Sequence, residues 1–282
     1  RFAPSPTGHL HLGHAYSALL NQKMAREQGG RMLLRMEDID RERCTHALER
    51  SMLDDLRWIG LAWEQPIRRQ SEHFGHYKET LERLIRMDLV YPAFLSRSEI
   101  GRELAKGEND PGRWPRDPDG APLYPPTERQ LSSRERRERI AAGRPHAWRL
   151  NMERALDHAG TSLSWYETGS GRGRRIAAQP QDWGDIVVAR RDTPTSYHLS
   201  VVMDDALQGV THVVRGKDLF QATSVHRLLQ HILGIDPPSY HHHRLILDDA
   251  GEKLSKSRGD TALTALRQQG RTRQEIYDSM GL

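Results

Sequence analysis

Short apolar runs alternate along this chain with stretches of 3.6-residue periodicity. That alternation restricts the fold more than any other feature, because it is the pattern of strands joined by crossover helices. A helix is predicted from about His14, with Tyr16, Leu19, Leu20 and Met24 on one face and Gly29-Gly30 as its stop. Met32-Leu33-Leu34 follows as a short buried strand, and then an acidic turn, Glu37-Asp38-Ile39-Asp40. Further helices are predicted over 45–59 (Leu48, Met52, Leu56, Ile59) and about 73–88 (Tyr77, Leu81, Leu84, Ile85). The pattern fades near Pro92 and returns with strands at 185–189, 197–203 and 210–214. A strong helix over about 218–233 carries Val225, Leu228, Leu229, Ile232 and Leu233. The reading is α/β with a parallel sheet. Its two halves are separated by a segment, 92–184, rich in Pro, Gly and Arg, in which 107–126 reads as loop. The last stretch, 237–282, reads as mostly helical with a loop at 248–259.

Charge is uneven along the chain. The net charge is +4, yet 129–175 holds 11 Arg and no Lys against five acids, Glu135, Glu138, Glu153, Asp157 and Glu167. Arg forks suit phosphate, so a nucleic acid is the simplest partner for such a segment, against the plainer reading of a solvated Arg-rich surface. No apolar run approaches the roughly 18–20 residues of a membrane span. The single cysteine, Cys44, excludes a disulfide within the chain. No targeting segment is visible after Arg1, and the expected location is cytoplasmic, without a membrane partner.

Two clusters carry chemistry. The first is HLHLGH at 9–14, at a predicted helix start. Its histidines could be metal ligands, ordinary polar residues, or donors to phosphate at a helix N-terminus, where backbone N–H groups and a partial positive charge favour anions. Gly13, without a Cβ, would let a planar base lie against the backbone. The second is KLSKS at 253–257, in a loop rich in Gly and charge. Lysines at i and i+3 there could close over a triphosphate and stabilise charge developing in a transition state; the bland reading is a solvated loop.

Together and in this order, HLGH and KLSKS resemble the HIGH and KMSKS signatures of the class I aminoacyl-tRNA synthetases. RFAPSPTGHLHLGHA at the start, LRMEDID at 34–40, YHLSVVMDD at 197–205 and THVVRGKDL at 211–219 resemble the glutamyl branch, over nearly the whole chain. Only 25 residues follow Ser257, where an anticodon-reading domain takes on the order of 100. With MEDID, LQGVTHVVRGKDLF and HRLLQHILG, this makes the chain similar to a short family within the branch, the glutamyl-Q tRNA(Asp) synthetases. The resemblance implies a Rossmann-type parallel-sheet catalytic domain in two halves, 1–91 and 185–236. An inserted α+β module (92–184) splits it, and a helical segment (237–282) carries the KLSKS loop, with no anticodon-binding domain.

The resemblance also implies the activity: L-glutamate and ATP form glutamyl-adenylate, and glutamate passes to the queuosine nucleoside at the wobble position of tRNA(Asp). Two alternatives stand beside it, a catalytic fragment of a glutamyl-tRNA synthetase charging tRNA(Glu) and a non-catalytic RNA-binding relic. By resemblance Arg1 and Arg215 receive the glutamate side-chain carboxylate and Glu37 its ammonium. Ala3 and Ser5 line the pocket, and Tyr197 supplies a hydroxyl and a wall. A surface acid is the plain reading of Glu37 and a core strand tyrosine that of Tyr197. ATP is expected over the HLGH helix start, with Gly13 under the adenine, His11 and His14 near the phosphates, and Lys256 with Lys253 reaching them from the other side. Mg²⁺ is expected with ATP. Many members carry a zinc knuckle in the insertion. Here Ser96 and Ser98 stand at its cysteine positions, Tyr124 remains and Glu128 falls near the last ligand position, so no structural zinc is expected and no residue is assigned as a metal ligand.

Overall fold

The computed structural model describes residues 1–106, 114–169, 171–247 and 261–281. The N-terminal segment runs beside strand β1 (Leu33–Met36): Phe2 N–H donates to Leu33 O at 3.0 Å and Arg35 N–H to Phe2 O at 3.1 Å. β1 pairs in parallel with β2 (Glu64–Arg69). The preceding helix α1 (Leu12–Glu27) and the crossover helix α2 (His46–Trp58) pack on this layer, burying Ala15, Ala18, Leu19, Met52 and Leu56 against Leu34 and Met36. Thr45 caps α2, its hydroxyl accepting from Leu48 N–H. The terminal helices α9 (Leu263–Gln268) and α10 (Arg273–Met280) add Leu263, Ile276 and Met280 to the same core.

The second half is built around β8 (His212–Gly216), helix α8 (Thr223–Leu233) and β9 (Ser239–His243), with β8 and β9 parallel. β5 (Ser164–Glu167) adds to β9 in parallel and β6 (Arg174–Ala177) to β5 antiparallel. A three-stranded antiparallel sheet joins β3 (Val90–Ala93), β4 (Ala147–Leu150) and β7 (Val187–Ala189). Helices α3 (Phe74–Arg86), α6 (Met152–Ala159) and α7 (Tyr197–Leu207) contribute with α8 to the largest apolar core. Two polar helices, α4 (Arg97–Lys106) and α5 (Ser133–Ala141), lie within 92–184.

The architecture is mixed α/β with parallel pairing, as the alternation predicts, but three details differ. Residues 197–203, expected as a strand, open α7. A short apolar run does not distinguish a strand from a helix buried on every side, and here Leu199, Val201 and Val202 are all within 1% of full burial. Residues 237–243, placed in a mostly helical stretch, contain β9. Three successive histidines look like loop, yet His242 and His243 are buried in the sheet. Finally, β4 and β5 lie inside 92–184 but pair with β7 and β9 outside it and with β3, which straddles residue 92, so sheet pairing runs across both expected boundaries. Among the described residues no helix is long and apolar enough to cross a membrane.

Candidate active site

The carboxyl ends of β1, β8 and β9 and the N-terminus of α1 surround a cavity of about 650 Å³, the position where open α/β sheets bind ligands. Arg1, Ala3, Ser5, His11, Gly13, His14, Glu37, Tyr197 and Arg215 all line it. Lys253 and Lys256 lie outside the described residues. In the extended N-terminal segment Phe2, Pro4 and Pro6 are buried, while Arg1, Ala3 and Ser5 are partly exposed where the segment borders the cavity.

At the helix start His11 is the N-cap. Its Nδ1 accepts from Gly13 N–H at 3.1 Å, and His14 Nδ1 accepts from His11 N–H at 3.2 Å. The two imidazoles do the work of a capping box, and their rings stand 3.8 Å apart. With each Nδ1 accepting, Nε2 is the donor nitrogen of each neutral ring. A Cβ on residue 13 would sit 3.0 Å from His11 Cε1, so the glycine admits the His11 ring. This is a packing reason for Gly13 beyond the expected contact with adenine.

Beneath the cavity lies a buried ionic network. Arg1 grips Asp205 with Nε at 2.8 Å and Nη2 at 3.1 Å. Arg35 donates Nη1 to Asp205 at 2.8 Å and Nη2 to Glu37 at 3.3 Å. Asp204 accepts from Arg68 Nε at 2.7 Å, and from Gln70 Nε2 and Tyr77 OH, each at 2.8 Å. Burial alone would raise the Asp205 carboxyl, but the Arg1 and Arg35 guanidiniums hold it well below the usual carboxylate range. Glu37 is pushed up by burial, with Arg35 and Arg1 opposing. Arg1, expected to receive a ligand carboxylate, is thus held by Asp205.

Arg215 stands differently. Its guanidinium donates Nε to His242 Nε2 at 3.1 Å, Nη1 to Tyr197 OH and His226 Nδ1, both at 3.3 Å, and Nη2 to Thr223 Oγ1 at 2.8 Å and Leu219 O at 3.1 Å. Every acceptor is neutral, the residue is 4% exposed, and among the described residues no carboxylate lies within ion-pair distance of it. Burial and the neighbouring Arg215 charge lower His198 to about 4 and His226 well below its ordinary value. The imidazoles therefore do not compete for an anion at neutral pH. Among the described residues this buried cation is satisfied by neutral dipoles alone, an environment in which a charge-assisted bond to an anion is strong.

Reading the sequence alone missed Arg35, Asp204, Asp205, His226 and His242 as parts of this site. Charges ending apolar runs, in LLRM and VVMDD, were the available signal, since the interior tolerates such groups only when paired. At the expected knuckle positions Ser96 Oγ and Ser98 Oγ lie 3.1 Å apart, and buried Glu128 accepts from Tyr124 OH and from Phe94 N–H at 2.9 Å. Among the described residues no group of three or more His, Cys, Asp or Glu could hold a metal.

Residues 1–282 match the family described as tRNA synthetases class I (E and Q), catalytic domain. The chain is 46% identical to the glutamyl-Q tRNA(Asp) synthetase of Rhodobacter capsulatus, covering all of this chain and 99% of that protein. It is 37% identical to a glutamate–tRNA ligase of a Synechococcus strain over 96% of this chain, spanning 53%, about half, of that longer relative. Among solved structures, a glutamate tRNA ligase from Elizabethkingia meningosepticum, crystallised in complex with its amino acid, superposes with a TM-score of 0.75 at 29% identity; the match covers 92% of this chain and 52% of that one. The chain belongs to the class I tRNA synthetases for glutamate and glutamine, a family of ligases.

Proposed function

We propose that this protein activates L-glutamate with ATP and transfers it to the queuosine nucleoside at the wobble position of tRNA(Asp). The observation that carries the amino-acid half is the Arg215 guanidinium, a buried cation whose partners among the described residues are all neutral, in one cavity with the acid Glu37. In this reading Arg215 and Tyr197 receive the side-chain carboxylate and Glu37 the α-ammonium, while Ala3 and Ser5 line the pocket. Arg1 acts through Asp205 as part of the floor and adds positive potential. A glutamate α-carboxylate oxygen attacks the α-phosphorus of ATP, the bond to the bridging oxygen breaks, and pyrophosphate leaves. His11, Gly13 and His14 receive the nucleotide at the start of α1, and Lys253 and Lys256 the departing phosphates. Such catalysis is positioning and charge stabilisation. Mg²⁺ would come with ATP and neutralise its phosphates.

In the second step a hydroxyl of the cyclopentenediol attacks the mixed-anhydride carbonyl and AMP leaves. A second cavity of about 530 Å³ shares Ser5, Thr7, Glu37 and Tyr197 with the first, which gives an acceptor a route to the activated carboxylate. The 46% identity to a glutamyl-Q tRNA(Asp) synthetase of nearly equal length supports this acceptor. The Arg-rich 129–175 segment would meet the RNA backbone, in the cytoplasm and without zinc. The second reading, a glutamate–tRNA ligase activity on tRNA(Glu), is favoured by the 37% identity to such a ligase.

ATP–pyrophosphate exchange with glutamate, run without RNA, tests the first step. Labelled glutamate offered to tRNA(Asp) with and without queuosine tests the second. Exchange that appears only with tRNA(Glu) would replace the proposal by the second reading, and no exchange under any condition would leave an RNA-binding relic.

A further inference from the structure

We infer that Glu167 and His242 are positioning residues that set the plane of the Arg215 guanidinium, and through it the selection of a carboxylate over a carboxamide. The inference rests on the reading of Arg215 as the receiver of the ligand carboxylate.

The parallel register of β8 and β9 places Arg215 opposite His242. Arg215 Nε can only donate, so His242 Nε2, at 3.1 Å, must be the unprotonated acceptor. The ring proton is then on Nδ1, which donates to Glu167 Oε2 at 2.6 Å. Glu167 Oε1 is held in turn by His242 N–H at 3.0 Å and Gly169 N–H at 2.8 Å, and Trp165 Nε1 donates to Oε2 at 3.3 Å. A Cβ at residue 169 would overlap the His242 carbonyl, so the glycine is what allows the backbone to close on Glu167. The carboxylate therefore has one orientation and accepts only, which leaves His242 one tautomer. Burial alone would raise Glu167, but hydrogen bonds from the His242 side chain and backbone bring it to about 2, so it stays ionised at neutral pH. Thr223 Oγ1 and Leu219 O hold Nη2 on the same side of the fork, and Nη1 is left to Tyr197 and His226 with the two longest bonds. That is the edge a ligand carboxylate would take. A carboxamide presents one acceptor and one donor there, and a guanidinium fixed in plane cannot turn to avoid the donor.

Glu167→Gln is the decisive variant. Its amide oxygen would keep the two backbone N–H bonds, placing the NH₂ group against His242 Nδ1. The imidazole must then carry its proton on Nε2, facing the Arg215 Nε–H. Ring ¹⁵N NMR is expected to show the Nδ1–H tautomer in the unaltered protein and Nε2–H in the variant. In ATP–pyrophosphate exchange the glutamate KM is expected to rise about 10- to 100-fold, the range found when the partner behind a ligating histidine is lost, with kcat little changed and the preference over glutamine falling in step. Glu167→Asp keeps an ionised acceptor and is expected to recover most of the affinity and the preference. His242→Gln, which keeps an acceptor opposite Arg215 Nε, is expected to raise KM less than His242→Leu, and this pair decides the matter should Glu167→Gln not fold. Unchanged KM and preference in Glu167→Gln, or equal losses in the conservative and non-conservative variants, would overturn the inference. An unaltered protein without glutamate-dependent exchange would overturn the functional reading instead. The ring ¹⁵N shifts still decide the relay in that case, because Nε2–H on His242 contradicts it.

Discussion

Arg215→Ala removes the buried guanidinium that the cavity presents to an anion. Its interaction with a ligand carboxylate would be desolvated, since Arg215 is 4% exposed, and truncating one member of such a charged pair costs about 2–4 kcal/mol. At 1.4 kcal/mol per decade this is a roughly 30- to 700-fold rise in the glutamate KM. The side-chain carboxylate carries the same charge before and during adenylation, so ground state and transition state lose the interaction equally and kcat is expected to change little. Glutamine behaves differently. In the unaltered protein its amide leaves the buried cation without an anion; in the variant that penalty is gone, and the preference for glutamate collapses toward unity. The assay is steady-state ATP–pyrophosphate exchange with both amino acids. Arg215→Lys serves as a control that keeps the charge and loses the fork, and it is expected to fall between the two. His242, His226, Tyr197 and Thr223 lose their common donor in the alanine variant, so its unfolding curve is recorded alongside. A folded Arg215→Ala whose glutamate KM stays within about threefold, with kcat reduced, would place this cation at the phosphates and refute the reasoning.

Asp205→Asn leaves the Arg1 and Arg35 guanidiniums without their shared anion; a loss of about 3–5 kcal/mol in urea unfolding is expected, and less than 1 kcal/mol would mean the network does not hold the floor of the site. Glu37 must be ionised to receive an ammonium, and burial raises it above its ordinary 4.5. Glutamate KM is therefore expected to climb as pH falls while still above 4.5, and Glu37→Gln should show a high KM without that pH dependence. Lys256→Ala is expected to cost about 2–4 kcal/mol in turnover with glutamate KM little changed; the reverse pattern would remove the KLSKS loop from the phosphates. Elemental analysis of the purified protein is expected to find no stoichiometric zinc, and zinc that survives dialysis would contradict the reading of Ser96 and Ser98.

The site was most legible where its chemistry is local. His11, Gly13 and His14 lie within one turn of a helix start, and a helix start is visible in a string of letters. Glu37 follows an apolar strand and an Arg-containing run, so its place at a strand end could be read off in the same way. Resemblance supplied Arg215 and Tyr197, which local pattern does not distinguish from an ordinary strand arginine and core tyrosine. Where the environment was buried on all sides, pattern failed: Leu199, Val201 and Val202 suit a strand or an enclosed helix equally, and the packing of α7 on α8 settled it as helix.

The amino-acid order alone determined the α/β alternation, the helix start that can meet a nucleotide, and the paired motifs of the glutamyl branch. Only the tertiary structure decided which buried charges meet an opposite charge and which meet neutral acceptors. Arg1 and Asp205 lie 204 residues apart in sequence, and Glu167 and His242 lie 75 apart. The Glu167–His242 partnership depends on strand register, since a one-residue slip would send either side chain to the opposite face, and that of Arg1 on the docking of α7, which carries Asp205. Because an ion pair and an unpaired cation have the same letters, the assignment of Arg1 to Asp205 and of Arg215 to neutral acceptors could come only from folding.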